Sequence, residues 1–335
     1  MPKIVAYVHA YVPIHNAGAE TTLHDLLRYL VTQGWEATVV VKPQAFDMVT
    51  RSVTEELPEY DIDGVHVIPA LSRKAIVSHI ATADITISHL ECSKQLHLTS
   101  KKWGKPTIHL VHNTHPLTKM WSASADAMIY NTNWVKDHET FSDVTMPGIV
   151  IHPPVDVERY KTTRGKKITL VNLWKDKGSE IFYHLAKQMP EIEFLGVKGG
   201  YGEQLVQEFE NVTIAEHTSD MKSIYGQSKL VLMPSKYESF GRVGVEAMAS
   251  GIPVLAHPTA GLRESLGDAG TFIHRDLPAE WEKAVTDALK PAKYGKLSKL
   301  ALARSQELTD QSNAELQALP MFLSELIRIK TGKRL

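Results

Sequence analysis

A single cysteine, Cys92, stands among 335 residues. The chain therefore closes no disulfide within itself and builds no thiolate metal cluster, and a reducing compartment is expected. No uninterrupted apolar stretch of about 18 residues is present, so no transmembrane helix is predicted. Met1-Pro2-Lys3 leads straight into a strand-like run, without the apolar region of a signal peptide. A cytoplasmic location is the expectation. Peripheral attachment to a membrane stays open, through Arg73-Lys74 with Ile76-Val77 and through Lys101-Lys102-Trp103. Excess charge of either sign is also missing. Lys plus Arg number 37 against 38 Asp plus Glu, a net charge of −1, which gives no global field for nucleic acid or anionic lipid. Nor does an Asp-x-Asp lie in a loop suited to a divalent ion, because Asp61-Ile62-Asp63 runs into Gly64 and reads as a turn. Neither a metal nor any other cofactor is expected.

What is present is alternation. Short β-branched runs, Ile4–Val8, Ala37–Val41, Val65–Ile68, Ile85–Ser88, Thr107–Val111, Ala127–Tyr130 and Ile149–Ile151, are separated by longer amphipathic stretches. One of these carries Leu23, Leu26, Leu27, Leu30 and Val31 at helical spacing before Gly34. His152-Pro153-Pro154 and the polar stretch Lys161–Lys167 break the pattern, as proline pairs and charge runs do in linkers. It then restarts with strands Ile168–Asn172, Glu193–Gly196, Val212–Ile214, Leu230–Met233 and Ile252–Ala256. Helices Ser179–Gln188, Val243–Ser250 and Pro278–Leu289 lie among them. The tail Asn313–Lys330 reads as a helix interrupted near Pro320. Two βα blocks predict an α/β chain of two Rossmann-like, doubly wound domains facing across a cleft.

The chemistry concentrates between Leu230 and Val254. A buried strand ends at Pro234, and a polar loop through Ser239, Phe240 and Gly241 leads into the helix that begins at about Val243. Such a loop turns backbone N–H groups toward a ligand and suits a diphosphate, with Gly241 lacking the Cβ that would hold a phosphate away. Glu238 and Glu246 bracket the turn. A carboxylate there binds a ribose diol, or else it merely favours the start of a helix electrostatically. Arg242 has two readings, facing the diphosphate or lying along the helix.

The ordered frame Pro234-Ser235, Glu238, Phe240-Gly241, Glu246-Ala247-Met248-Ala249 and Gly251-Ile252-Pro253-Val254 resembles the signature of the retaining glycosyltransferases of family four, which have the GT-B fold. Ala260-Gly261-Leu262-Arg263-Glu264-Ser265 resembles that family's next donor loop, and Ser219–Ser228 the helix before the signature. Asn16-Ala17-Gly18-Ala19-Glu20 resembles its glycine-rich N-terminal loop, with Gly18 alone where paired glycines are usual. His112 resembles the family histidine that contacts the transferred sugar. His109, His112 and His115 together are not read as a zinc set, since a strand points alternate residues to opposite faces. Pro153-Pro154-Val155-Asp156 matches the interdomain crossover. Lys177 matches one of two cations that clamp the donor diphosphate, whereas Asn172 stands where the family has Arg and offers no bidentate charged fork.

The resemblance implies metal-independent transfer, with retention, from a nucleotide-diphosphate-sugar. Residues 1–152 would take the acceptor, 153–312 the donor, and 313–335 would return as a helix to the first domain. Glu238, His112 and Lys177 would then be catalytic. Glu246, Gly241, Arg242, Ser239, Phe240, Asn172 and Gly18 would bind the donor. The acceptor is unnamed: a saccharide, a lipid-linked or small molecule, or a nucleic acid. A catalytically silent nucleotide-sugar-binding protein stays open as the alternative, motivated by Asn172 and the single glycine at Gly18.

Overall fold

The computed structural model describes residues 1–41, 44–47, 52–56, 58–69 and 73–333. The chain divides into two compact units, Met1–Pro154 with Ser312–Leu335, and Val155–Gln311.

The first unit carries β1 (Lys3–Val8), β2 (Glu36–Val41), β3 (Gln44–Asp47), β4 (Ser52–Glu56), β5 (Tyr60–Ile62), β6 (Val65–Pro69), β7 (Ile85–Ser88), β8 (Thr107–Val111), β9 (Ala127–Tyr130) and β10 (Gly148–Val150). Eight of them form one sheet in the order β10-β9-β8-β7-β1-β2-β6-β5, parallel except for β5 at the edge. Both faces of its central strand are buried. Ile4, Ala6 and Val8 pack toward Leu23, Leu26, Leu27 and Leu30 of the helix Gly18–Thr32. Val5 and Tyr7 pack toward Ile76, Ile80 and Leu96. A parallel strand covered on both faces has no polar side to show, which is why Ile4–Val8 reads as a continuous apolar run.

In the second unit, β11 (Lys167–Val171), β12 (Phe194–Val197), β13 (Val212–Ala215), β14 (Ser228–Met233), β15 (Val254–Ala256) and β16 (Gly270–Phe272) make a wholly parallel sheet in the order β13-β12-β11-β14-β15-β16. Counted within the unit this is 3-2-1-4-5-6, the Rossmann order. The first sheet repeats it through β6-β2-β1-β7-β8-β9. In each sheet the strand order reverses beside the first strand, between β1 and β7 and between β11 and β14. Open α/β sheets bind ligands outside the C-terminal strand ends at that point.

Three expectations need correction. The helix at the C-terminal end is not interrupted: Pro291–Thr331 is a single helix of 41 residues with Pro320 inside it. A mid-helix proline costs about 3 kcal/mol. Burial of Leu316, Leu319, Leu323, Leu326 and Ile327 against the first unit offsets it, at about 1.5–3 kcal/mol for each fully buried side chain. Asp61 and Ile62 belong to β5, and the turn is Asp63-Gly64, with φ of 50° and 79°. This is the two-residue Asp-Gly connection whose twist suits an antiparallel pair. Ile76 is no surface residue, being 6% exposed in the core, whereas Trp103 is 52% exposed. The side chain of Arg73 lies outside the described residues. Among those described, no helix is long and apolar enough to cross a membrane.

Candidate active site

In the second unit the loops that leave β11 and β14 meet. The Lys236 N–H donates to the Asp176 carbonyl at 2.8 Å, and Arg275 reaches the Asp176 and Lys175 carbonyls at 3.4 Å. Within this frame Lys177 Nζ lies 2.5 Å from Glu238 Oε1, and the Ser235 hydroxyl donates to the same oxygen at 2.9 Å. Burial pulls the Lys177 ammonium down in pKa, but Glu238 and Tyr201 more than reverse this, so it stays charged. A carboxylate in contact favours the charged form of a buried ammonium.

Glu246 lies 6% exposed in the helix Arg242–Met248. Its Oε2 accepts from the Tyr225 hydroxyl at 2.8 Å and its Oε1 from Arg242 Nε at 3.2 Å. Arg242 Nε thus reaches one turn along its own helix to Glu246. Burial, then the Glu246 charge, push the Tyr225 phenol far above its ordinary range, so Tyr225 remains a donor. Gly241 has φ +84°, and a Cβ built there would meet Leu262 Cδ2 at 2.4 Å and Met233 Cε at 3.0 Å. The left-handed turn and this inward packing require the glycine. Phe240 is buried with Leu262 and accepts from the Ser265 hydroxyl through its carbonyl, while Ser239 is partly exposed beside Glu238.

Asn172 departs furthest from its expected part. It adopts φ +71° and is 6% exposed. Its Oδ1 accepts from Trp174 N–H at 3.1 Å and from Gln204 Nε2 at 2.9 Å, and its Nδ2 donates to the Tyr201 carbonyl at 3.3 Å. Asparagine tolerates the left-handed region and organises turns through its amide, and both heteroatoms are used here in holding Tyr201–Gln204. Gln204, Tyr225 and Arg275 went unassigned on sequence, since each acts on a residue 21 to 100 positions away.

At the reversal point of the first sheet the chemistry is different. His9 follows β1, Glu20 lies in the first turn of the helix Gly18–Thr32, His89 follows β7 and His112 follows β8. His89 Nδ1 and His112 Nε2 are 3.1 Å apart, and His9 Nε2 and Glu20 Oε1 3.7 Å. Burial raises the Glu20 carboxyl to about 7, partly opposed by its own backbone hydrogen bond. Burial drives His112 down to about 3 and His89 well below its usual value, His89 further through His112, His9 and His109. His112 thus joins this group, whereas His109 faces His97, at 5.9 Å between ring centres, and His115 is exposed ahead of the helix Pro116–Ser122. Gly18 opens its helix and its carbonyl accepts from the Thr22 hydroxyl at 2.7 Å. His9 and His89 carried no signal in the sequence.

Residues 172–291 match the family model for glycosyl transferases group 1. That segment holds every second-unit residue described above. Curated relatives include the D-inositol 3-phosphate glycosyltransferases of Mycolicibacterium gilvum, 26% identical over 275 residues, and of Mycobacterium tuberculosis, 26% over 267. The matches cover 64% and 62% of this chain and 60% and 54% of those proteins, so the chain spans little more than half of their length. Among solved structures, sucrose-phosphate synthase from Thermosynechococcus elongatus superposes with a TM-score of 0.74 at 15% identity, covering 96% of this chain and 98% of its own. HepE of Anabaena in complex with UDP and glucose gives 0.74 at 17%, covering 97% and 100%. The chain has the GT-B fold of two Rossmann-like domains.

Proposed function

We propose that the chain transfers a sugar from a nucleotide-diphosphate-sugar to an acceptor, with retention of configuration and without a divalent ion at the diphosphate. The observation that carries this is the contact of Lys177 with Glu238 at the reversal point of the second sheet. At rest the two charges neutralise each other. An arriving diphosphate takes Lys177 as its partner and frees Glu238 for a sugar hydroxyl, while Glu246, oriented by Tyr225 and Arg242, binds the ribose diol. As the acceptor oxygen bonds to the anomeric carbon and the bond to the leaving phosphate oxygen breaks, Lys177 and the amides of Gly241 and Arg242 stabilise the departing charge. The acceptor proton passes to the diphosphate. Retention is supported by the likeness of the Glu238–Glu246 frame to family four. His112 is proposed to contact the transferred sugar. Asn172 drops out of the donor contacts, its amide being engaged within the loops.

A thermal-shift panel of UDP, GDP, ADP and their sugars tests this, because a ligand of the native state raises the midpoint. UDP comes first, since the HepE structure holds it. The expected result is a rise with one base family that persists in EDTA, followed by transfer giving a product of unchanged anomeric configuration by NMR. Binding without transfer to any acceptor, D-inositol 3-phosphate included, would establish the second reading, a silent nucleotide-sugar-binding protein, which the engaged Asn172 favours. Absence of binding defeats both.

A further inference from the structure

We propose that His9, Glu20 and His89 form a divalent transition-metal site in the first unit, separate from the donor site and fitted to zinc before other ions. One ligand atom from each residue lies within 4.8 Å of the other two. They come from three segments, the loop after β1, the first turn of the helix Gly18–Thr32 and the end of β7, brought together by the strand reversal.

Glu20 Oε2 and His89 Nε2 are buried without a hydrogen-bond partner among the described residues. Glu20 is 2% exposed and His89 fully buried. A buried polar atom without a partner costs about 1–3 kcal/mol, and here two converge. His9 does not relieve Glu20, because 3.7 Å is beyond a hydrogen bond. A cation bound between them satisfies both. His89 is prepared as a metal-binding histidine is. Its Nδ1 lies 3.1 Å from His112 Nε2, and a proton placed on Nδ1 and donated to His112 leaves the Nε2 lone pair facing the group. An outer partner on the second ring nitrogen fixes tautomer and ring orientation in such sites.

Two imidazoles and one carboxylate are a zinc donor set, and three protein ligands leave a fourth position open. Zinc–ligand bonds of about 2.0–2.1 Å require donor atoms about 3.4 Å apart, so separations of up to 4.8 Å must close by at most about 1.4 Å. His9 can supply the movement, being on a loop with its side chain 14% exposed. The fourth position then opens on the His9 side, toward solvent, where a water or a ligand oxygen coordinates.

The test uses the tag-free full chain, stripped by a chelator and titrated with Co²⁺ under visible absorption, then with Zn²⁺ in competition. One equivalent of Co²⁺ with d–d bands of a low-coordinate site, displaced by Zn²⁺ and accompanied by a higher Tm, is expected. His89→Ala and Glu20→Gln should abolish it. His112→Asn should weaken it about 10- to 100-fold, the usual loss for an outer partner. His9→Asn, on the loop, guards against misfolding: it should lose the metal while keeping the nucleotide-induced rise in Tm, which reports the second unit alone. His257→Asn, in another close histidine pair with its ring centre 4.7 Å from that of His274, should leave metal binding unchanged. Absence of saturable binding overturns the proposal. Binding that survives both His89→Ala and Glu20→Gln, or that is lost in His257→Asn, overturns it equally.

Discussion

The two sheets reverse strand order in the same way, yet the residues at their reversal points have opposite electrostatic character. In the second unit a lysine and a glutamate are in contact, and a serine hydroxyl supplies the carboxylate with a further bond. In the first unit burial holds His89 and His112 neutral and raises the Glu20 carboxyl to about 7, and Glu20 Oε2 and His89 Nε2 are buried without hydrogen-bond partners among the described residues. One position is charged and internally compensated, so a ligand must exchange partners with it. The other is nearly uncharged and uncompensated, so a ligand adds partners. Equivalent topology therefore places a site without deciding its chemistry, which lies in four or five side chains on the loops.

Removing the cation should break the charged position hardest. Lys177→Ala is expected to lower kcat by about 10²–10³-fold in a transfer assay, the cost of losing one donor to the leaving-group charge, and it strands Glu238 half-buried. Glu238→Gln keeps the shape and should cost about 10- to 100-fold in turnover with little change in nucleotide affinity, measured by calorimetry. A larger loss of affinity than of turnover would transfer Glu238 to ribose or phosphate binding.

The neutral position is sharpened by pH. The Glu20 carboxyl, raised to about 7 in the folded chain from an ordinary 4.5, holds a proton that the unfolded chain has released between those values. Its contribution is therefore complete below about pH 4.5 and lost as pH rises through about 7, at about 1.4 kcal/mol for each pH unit between the two values. His112, lowered to about 3, runs the other way: its contribution is complete above about 6.5 and lost as pH falls toward 3. In Glu20→Gln, Tm measured in EDTA should decline less between pH 5 and 7 than in the wild type. Parallel profiles would show that Glu20 titrates normally.

Smaller effects are expected from Tyr225→Phe and Asn172→Arg. Losing the hydroxyl bond to Glu246 should weaken nucleotide binding by about 1.5 kcal/mol, roughly tenfold. Restoring the family's arginine at a left-handed backbone position should cost about 1–2 kcal/mol in stability without a tenfold gain in donor affinity. A clear gain would return position 172 to the diphosphate.

The paired βα blocks were legible because parallel strands buried on both faces leave apolar runs, and the helix Ser179–Gln188 was bounded correctly from its pattern alone. The frame around Glu238 and Glu246 was legible because its residues are contiguous. Pro320 misled because local propensity omits the burial that holds its helix together. Asn172 was legible only as a departure from the family's arginine, because its bonds to Tyr201 and Gln204 are set by a loop about 30 residues away. His9, Glu20, His89 and His112 share no motif, being gathered from four segments only by strand order.

The helix Pro291–Thr331 has a consequence for synthesis. It is about 60 Å long at 1.5 Å per residue, and its later half completes the hydrophobic core of a unit whose sheet is encoded in residues 3–150. N-terminal domains usually fold first as a chain emerges at about 5–20 residues per second. Here the first unit cannot bury Leu316–Ile327 until those residues have emerged, after every residue of the second unit, which ends at Gln311. While residues 312–327 are still within the ribosome, a nascent chain would thus hold a complete second Rossmann unit and a first unit whose sheet still exposes the apolar surface the helix covers, reversing the usual order in which a nascent chain needs protection.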